Sequence, residues 1–108
     1  MNGQNKVCTY LGFAKKAGKL ATGMGTCTLP QIRRKLKLIL VANDTAAGSI
    51  DKIERFAKSE NIPCFVHGQS EEMSKATGQS GRFIFGIMDA SLAGAIIKEI
   101  DHEKEVLR

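Results

Sequence analysis

The sequence contains no tryptophan, one tyrosine, two prolines and three cysteines. Cys8, Cys27 and Cys64 are widely spaced, without a CxxC pair or a nearby histidine, so neither a disulfide framework nor a metal site is expected. No apolar run approaches the roughly 20 residues that span a bilayer, and the N-terminus lacks the apolar block of a secretory signal. We therefore expect a cytoplasmic protein that contacts no membrane.

Carboxylates are absent from the first 43 residues, because the earliest acidic side chain is Asp44. Residues 1–43 carry eight basic side chains, a formal charge of +8, whereas residues 44–108 carry eight basic and eleven acidic ones, a charge of −3. If the early cations share one face, that face attracts polyanions such as nucleic acid. The competing interpretation is that these lysines only solvate helix surfaces.

A length of 108 residues is enough for one domain with one core. Helical and strand patterns alternate as α-β-α-β-α-β-α-β-α, and the strands at 38–42 and 83–88 are nearly continuous apolar runs. Such strands are usually covered on both faces. The sequence therefore predicts one three-layer α/β/α sandwich, residues 1–108, around a four-stranded sheet.

Pro30 restricts where the second helix begins, because proline is tolerated only in a helix's first turn. Thr28-Leu29-Pro30-Gln31 fits a capping box, with Thr28 as N-cap of a helix that runs to about Leu36. A start at Thr26 is the alternative.

Small polar residues mark the beginnings of the later helices. We predict Ser49 and Ser70 as N-caps of the third and fourth helices, and either Asp89 or Ser91 as N-cap of the last. The charged tail from Asp101 to residue 108 is predicted to fray.

The stretch Gly23–Asp44 is predicted to form the binding edge. It combines a glycine turn, a basic helix and a buried strand, and ligands of α/β domains usually bind at helix N-termini and strand carboxyl ends. Gly23-Met24-Gly25 is not a nucleotide loop, since Thr28 replaces the third glycine of GxGxxG. A turn that needs a positive φ is the simpler explanation for these glycines.

Three further residues have a functional and a structural interpretation each. Asn43 and Asp44 can hydrogen-bond base edges or ribose, or can simply make an Asx turn. Arg82 can contact phosphate or can simply be exposed. The local sequence favours the turn for Asn43 and Asp44, and the functional interpretations depend on these residues lying on the same edge as the basic block.

Evidence for catalysis is weak. Cys27, near a helix start, is a candidate for a lowered thiol pKa, but the sequence offers it no base partner. His67 and His102 also lack recognisable catalytic partners. We expect no enzyme activity, no cofactor and no small-molecule substrate.

Four blocks carry a resemblance to a known family: LGFAKKAGKLATG, RRKLKLILVANDTA, IPCFVHGQSEEMSKATG and IFGIMDASLAGAI. In this order, over about residues 7–97, they resemble the large-subunit ribosomal protein seven-Ae and thirty-e superfamily, and within it the small bacterial YlxQ-like branch. The resemblance implies a mixed sheet with one strand running against the others. It also implies RNA binding, in the better-known relatives to kink-turn motifs, without catalysis or cofactor.

The family's RNA-gripping pattern, Gly-x-Asn-Glu-x-x-Lys, is largely replaced in this chain. It falls on Gly23, Gly25, Thr26 and Leu29, so only the glycine is kept. The three lost side chains would address tandem sheared G·A pairs, and hydrogen bonds of that kind carry about 1–3 kcal/mol of discrimination each. Specific kink-turn recognition should therefore be severely weakened.

Two other family features are also altered. The Glu-Asp pair after the second strand corresponds to Asn43-Asp44, so the acidic partner survives only at Asp44. The apolar loop that packs on RNA corresponds to 79–82, which is polar and basic. We infer that backbone amides hydrogen-bond the RNA and that lysine and arginine side chains bind its phosphates.

The leading hypothesis is a monomeric protein that binds structured RNA, with ribosomal RNA as one candidate. The residues expected at the RNA are Gly23, Gly25, Thr26, Leu29, Arg33, Arg34, Lys37, Asn43, Asp44 and Arg82. The alternatives are a protein-interaction module that has lost RNA recognition and an enzyme that uses Cys27. The leading hypothesis requires that the early cations share one surface with the Gly23 bend.

Overall fold

Four strands form one mixed sheet in the order β1-β4-β2-β3. In the computed structural model, which describes residues 5–106, the elements are α1 (Lys6–Lys16), β1 (Leu20–Thr22), α2 (Met24–Cys27), α3 (Pro30–Arg33), β2 (Leu38–Val41), α4 (Ala47–Ser59), β3 (Cys64–Val66), α5 (Ser70–Ala76), β4 (Ile84–Ile87) and α6 (Ala90–Val106). β4 is antiparallel to both of its neighbours, and β3 is parallel to β2. The predicted mixed sheet, with one strand running against the others, is confirmed.

The two faces of the sheet bury different helices. Leu38 and Leu40 of β2 face a core that also contains Leu11 of α1, Met73 of α5 and Ile96 of α6. The alternate residues of β2 face the other core, which is completed by α4 and by the segment that carries α2 and α3. Because both faces are covered, β2 and β4 are buried at every position. The three-layer α/β/α sandwich predicted from the sequence is confirmed.

Gly86 lets the α2–α3 segment lie close against β4. A Cβ placed on Gly86 would come within 2.6 Å of Leu36 Cδ2 and 3.0 Å of Cys27 Sγ. Both contacting side chains are buried, so neither can swing away into solvent. A side chain at this position of the strand is therefore excluded by packing.

The second predicted helix is wrong in its start and its length. The chain instead forms the separate helices α2 and α3, and the residue that precedes α3 is Leu29, with extended φ and ψ. Thr28 is not the N-cap of a helix but the C-cap of α2, and its hydroxyl donates to the Met24 carbonyl, 2.9 Å away, one turn back. Pro30 explains the break, since its ring disfavours a helical conformation at the residue before it.

The N-cap of α4 is Ala46, three residues before the predicted Ser49, and the N-cap of α5 is Gln69, one residue before the predicted Ser70. α4 begins at Ala47, so Ser49 lies inside its first turn rather than at the cap, and Ser70 is the first residue of α5. Asp89 is confirmed as the cap of α6, because its carboxylate accepts the Leu92 amide at 2.8 Å.

α6 continues to Val106, through the charged segment from Asp101 that was predicted to fray. The Glu103 carboxylate lies 2.7 Å from His67 Nε2, and Lys104 Nζ lies 5.7 Å from the centre of the Phe65 ring. These contacts join the end of the helix to β3 and the residue after it. The last two residues lie outside the described part of the chain.

None of the helices within residues 5–106 combines the length and the apolarity needed to cross a bilayer.

We expect Gly86→Ala to lower the free energy of unfolding by about 1–3 kcal/mol, because the new methyl group would overpack a buried contact. The matched control is Gly94→Ala in α6, where an added Cβ meets no neighbour within 4 Å. That change should stabilise the protein by up to about 1 kcal/mol through helix propensity. Urea unfolding measures both, and an unchanged or more stable Gly86→Ala variant would refute the packing argument.

Candidate nucleic-acid interface

Three loops meet around a cleft of about 460 Å³ at one end of the sheet. They are the start of α2, the loop between β2 and α4, and the loop between α5 and β4. The lining residues are Gly23, Met24, Asp44, Thr45, Ala46, Ser49, Gly81, Arg82, Phe83 and Ile84. We call this end, where β1 and β2 finish and β4 begins, the cleft end.

Arg82 stands beside the bend at Gly23. A Cβ placed on Gly23 would lie 3.8 Å from Arg82 Nη1, and Gly23 has the positive φ, 91°, that the sequence predicted for this turn. The hydroxyl of Ser74, which is buried, accepts the Arg82 amide and donates to the Arg82 carbonyl, both at 2.9 Å. The backbone that carries the guanidinium is thus fixed, while the Arg82 side chain is exposed.

Asp44 joins the β2–α4 loop to the start of α5. Its carboxylate accepts the Ser70 amide at 3.0 Å and the Ser70 hydroxyl at 2.5 Å. These two donors hold the pKa of Asp44 below its usual range, because they stabilise the ionised form. Asp44 therefore connects the β2–α4 loop to the start of α5, a longer-range contact than the local Asx turn considered from the sequence.

The first amides of α2 have no acceptor inside the helix, as is true of any helix N-terminus. The first intrahelical bond is donated by the Cys27 amide to the Gly23 carbonyl, 3.1 Å away. Gly25 and Thr26, whose backbone amides precede that of Cys27 in the helix, are exposed. Leu29, 42% exposed, follows α2 rather than lying on it. Asn43 follows β2 and is exposed, and its backbone amide donates to the Gly68 carbonyl at 2.7 Å.

The predicted cations lie away from this cleft. Arg34 and Lys37 line a different depression, beside Lys19 and Met88, where β1 and β2 begin and β4 ends. Arg33 points to Glu60 at the end of α4, with 3.7 Å between Nη1 and Oε2. The expectation that the early cations share one surface with the Gly23 bend is therefore wrong. Of the four predicted phosphate contacts, only Arg82 lines the cleft.

Sequence reasoning missed several residues of the cleft. Phe83 is 39% exposed at its edge, although the apolar pattern of its segment suggested a buried strand residue. Thr45 and Ser49 come from the β2–α4 loop and the first turn of α4, and Thr45 Oγ1 has no hydrogen-bond partner among the described residues. The sequence signal that was available is position: Phe83 directly precedes a strand that starts at the binding edge.

The thiol of Cys27 is sealed inside the protein. Cys27 is fully buried and its Sγ lies 3.7 Å from the Ala21 carbonyl. Burial raises the pKa of Cys27 to about 11, so the lowered pKa considered from the sequence is wrong. Burial likewise raises the pKa of Cys8 and of Cys64 to about 11. Among the residues that the structure describes, no three His, Cys, Asp or Glu side chains gather as a metal site would require.

This fold and site define a class of protein. Its members are α/β/α domains with one reversed strand in a four-stranded sheet and a loop-lined cleft at the end of that sheet. The chain belongs to the ribosomal protein L7Ae/L30e/S12e/Gadd45 family, whose model matches residues 5–92. The resemblance to the seven-Ae and thirty-e superfamily inferred from four sequence blocks is thereby confirmed.

Individual relatives agree with this assignment. The chain is 33% identical over 91 residues to a protein of Enterococcus faecium named RNA-binding protein YlxQ, covering 83% of this chain and 86% of that one. A solved structure described as a protein of unknown function from Bacillus halodurans C superimposes with a TM-score of 0.83 at 25% identity, over 89% of this chain and 97% of that one. The Giardia lamblia 15.5kD RNA binding protein shares the fold, with a TM-score of 0.69 at 18% identity over 100% and 92% of the two chains.

Alkylation of Cys27 by iodoacetamide at pH 8 should be on the order of 100-fold slower in the folded protein than in urea, because the thiolate is scarce at the raised pKa. Burial also keeps the reagent away from the thiol, which slows the alkylation further. Mass spectrometry of peptides taken over time gives the rate for each cysteine. Rapid labelling of Cys27 in the folded protein would revive the enzyme hypothesis.

Proposed function

We propose that this protein binds a structured RNA at the cleft end, without catalysis. The observation that carries the proposal is the convergence of three loops, which brings Gly23, Asp44 and Arg82 around one cleft although they are far apart in the sequence. A relative named as an RNA-binding protein, 33% identical over most of both chains, supports it. Ribosomal RNA remains the first candidate partner, and the cytoplasm the expected location.

Each part of the cleft has a chemical role in this proposal. The Arg82 guanidinium pairs with a phosphate, and the open amides of α2 donate to phosphate or base oxygens. The exposed Phe83 ring offers a face on which an unpaired base can stack. Asp44, already held by Ser70, fixes the shape of the cleft and leaves little of its carboxylate for base reading.

Recognition of kink-turns is expected to be weak in the native sequence. Gly25 and Thr26 are exposed on α2, but they present no side-chain amide or carboxylate to a G·A pair. Leu29 lies beyond the end of α2, where even a lysine would start from a different backbone position than in an unbroken helix. RNA shape and backbone contacts should therefore outweigh base reading.

Replacing Arg82 by Gln should weaken RNA binding and lower the magnitude of the salt slope by about 0.7–0.9, the loss of one phosphate contact. The affinity of a ribosomal RNA fragment is measured by fluorescence anisotropy at a series of salt concentrations. Arg55→Gln is the control, since Arg55 is exposed on α4 and pairs with Asp51 rather than lining the cleft.

Two outcomes would contradict the proposal. The wild-type protein could fail to bind RNA at low salt, or its affinity could be independent of salt. Either result would favour the protein-interaction module, whose partners would stay bound in a pull-down after nuclease treatment. Equal effects of the Arg82 and Arg55 variants would move the site away from the cleft.

Restoring the family's side chains should raise affinity for a kink-turn RNA. Gly25→Asn, Thr26→Glu and Leu29→Lys all fall on exposed residues, and a Cβ on Gly25 meets no atom within 4 Å. Each hydrogen bond that reaches a base edge is worth about 1–3 kcal/mol of discrimination. A gel shift compares the kink-turn RNA with a plain duplex of the same length.

The plain duplex is the internal control, since the triple variant should gain little on it. Because Leu29 follows the end of α2, the double variant Gly25→Asn, Thr26→Glu should retain part of the gain. If neither variant prefers the kink-turn over the duplex more than the wild type does, the assigned role of α2 is wrong.

A further inference from the structure

A second basic surface lies at the end of the sheet opposite the cleft. Lys19, Arg34, Lys35 and Lys37, which we call the basic patch, line a depression of about 450 Å³ together with Gly18, Ile32 and Met88. The four cations come from two places in the sequence, the residue before β1 and the segment that leads into β2. All four are exposed.

The positive charge of the basic patch is not neutralised by nearby acids. None of the four cations is within 4 Å of a carboxylate oxygen among the residues that the structure describes. No acidic residue lines the depression. Asp89, which follows Met88 in the sequence, caps α6, and Glu60 faces Arg33, the residue before Arg34.

Distance separates the basic patch from the cleft. Lys37 precedes β2 and Asp44 follows it, and the five residue steps from Lys37 to Ala42 extend about 16 Å at the usual strand rise. β4 covers the same length in the opposite direction, from Arg82 at the cleft to Met88 at the patch. One phosphate cannot touch both surfaces.

We propose that the basic patch binds the phosphate backbone of a second RNA segment, so that one protein holds two segments at opposite ends of its sheet. This inference rests on the RNA-binding function proposed for the cleft. Four cations without a carboxylate partner among the described residues surround one depression, an arrangement that fits a run of phosphates. The protein then fixes the distance between two parts of a folded RNA.

The decisive variant is the triple change Lys19→Gln, Lys35→Gln, Lys37→Gln. Its matched control is Lys52→Gln, Lys58→Gln, Lys98→Gln, three exposed lysines on α4 and α6 that remove the same charge. Anisotropy with a ribosomal RNA fragment should show the salt slope of the patch variant reduced by about 2 to 3, and that of the control unchanged. Circular dichroism melting shows that both variants are folded.

Stoichiometry tests the two-segment arrangement directly. With a short RNA duplex in excess at low salt, sedimentation should find two duplexes per wild-type protein and one per patch variant. Arg82→Gln should weaken binding of the duplex at the cleft, so that combining it with the patch variant lowers the affinity of both surfaces.

The results separate the two proposals. A patch variant with the same slope and stoichiometry as its lysine control would overturn the second site and leave the cleft proposal standing. Wild-type protein that binds no RNA would overturn both. Equal binding of polyglutamate and RNA at the patch would also overturn the inference, since the surface would then accept any polyanion.

Discussion

The direction of β4 is the constraint on which the rest of the structure depends. Because β4 lies antiparallel between β1 and β2, those two strands run parallel to each other. β1 ends at the cleft end and β2 begins at the opposite end. The connection between them must therefore cross the length of the sheet, and α2 and α3 lie along this crossing. The crossing packs tightly because Gly86 has no side chain to hold it away.

This crossing has a direct functional consequence. It starts at Gly23, where amides and Arg82 border the cleft, and it ends at Arg34, Lys35 and Lys37 of the basic patch. Features that are neighbours in the sequence are thus placed at two ends of the molecule. The cleft is lined by one cation, Arg82, whereas the basic patch contains Lys19, Arg34, Lys35 and Lys37. In the function proposed above, the cleft and the basic patch contact RNA separately.

Much of the fold could be predicted from the sequence because its physical signals are local. The unbroken apolar run of β2 indicated a strand buried on both faces. Asp89 and Ser91 were the two candidate caps of α6, and the structure shows that Asp89 is the cap. The errors arose where local signals compete. Thr28 has the residue type of a cap, but its hydroxyl bonds back to Met24 because Pro30 forces Leu29 into an extended conformation. The charged end of α6 suggested fraying, but the Glu103 carboxylate contacts His67, which lies 36 residues earlier in the sequence.

By itself the sequence determined the α/β/α class, the family, the lack of the Asn-Glu-Lys side chains and the concentration of cations before Asp44. These depend on residue identity and short-range periodicity, which the chain displays directly. Only the tertiary structure decided which of those residues share a surface. Strand direction is set by long-range pairing. This pairing brought Gly23, Asp44 and Arg82 around one cleft and placed Arg34 and Lys37 at the opposite end of the sheet. It also buried Cys27 where the α2–α3 segment crosses the sheet.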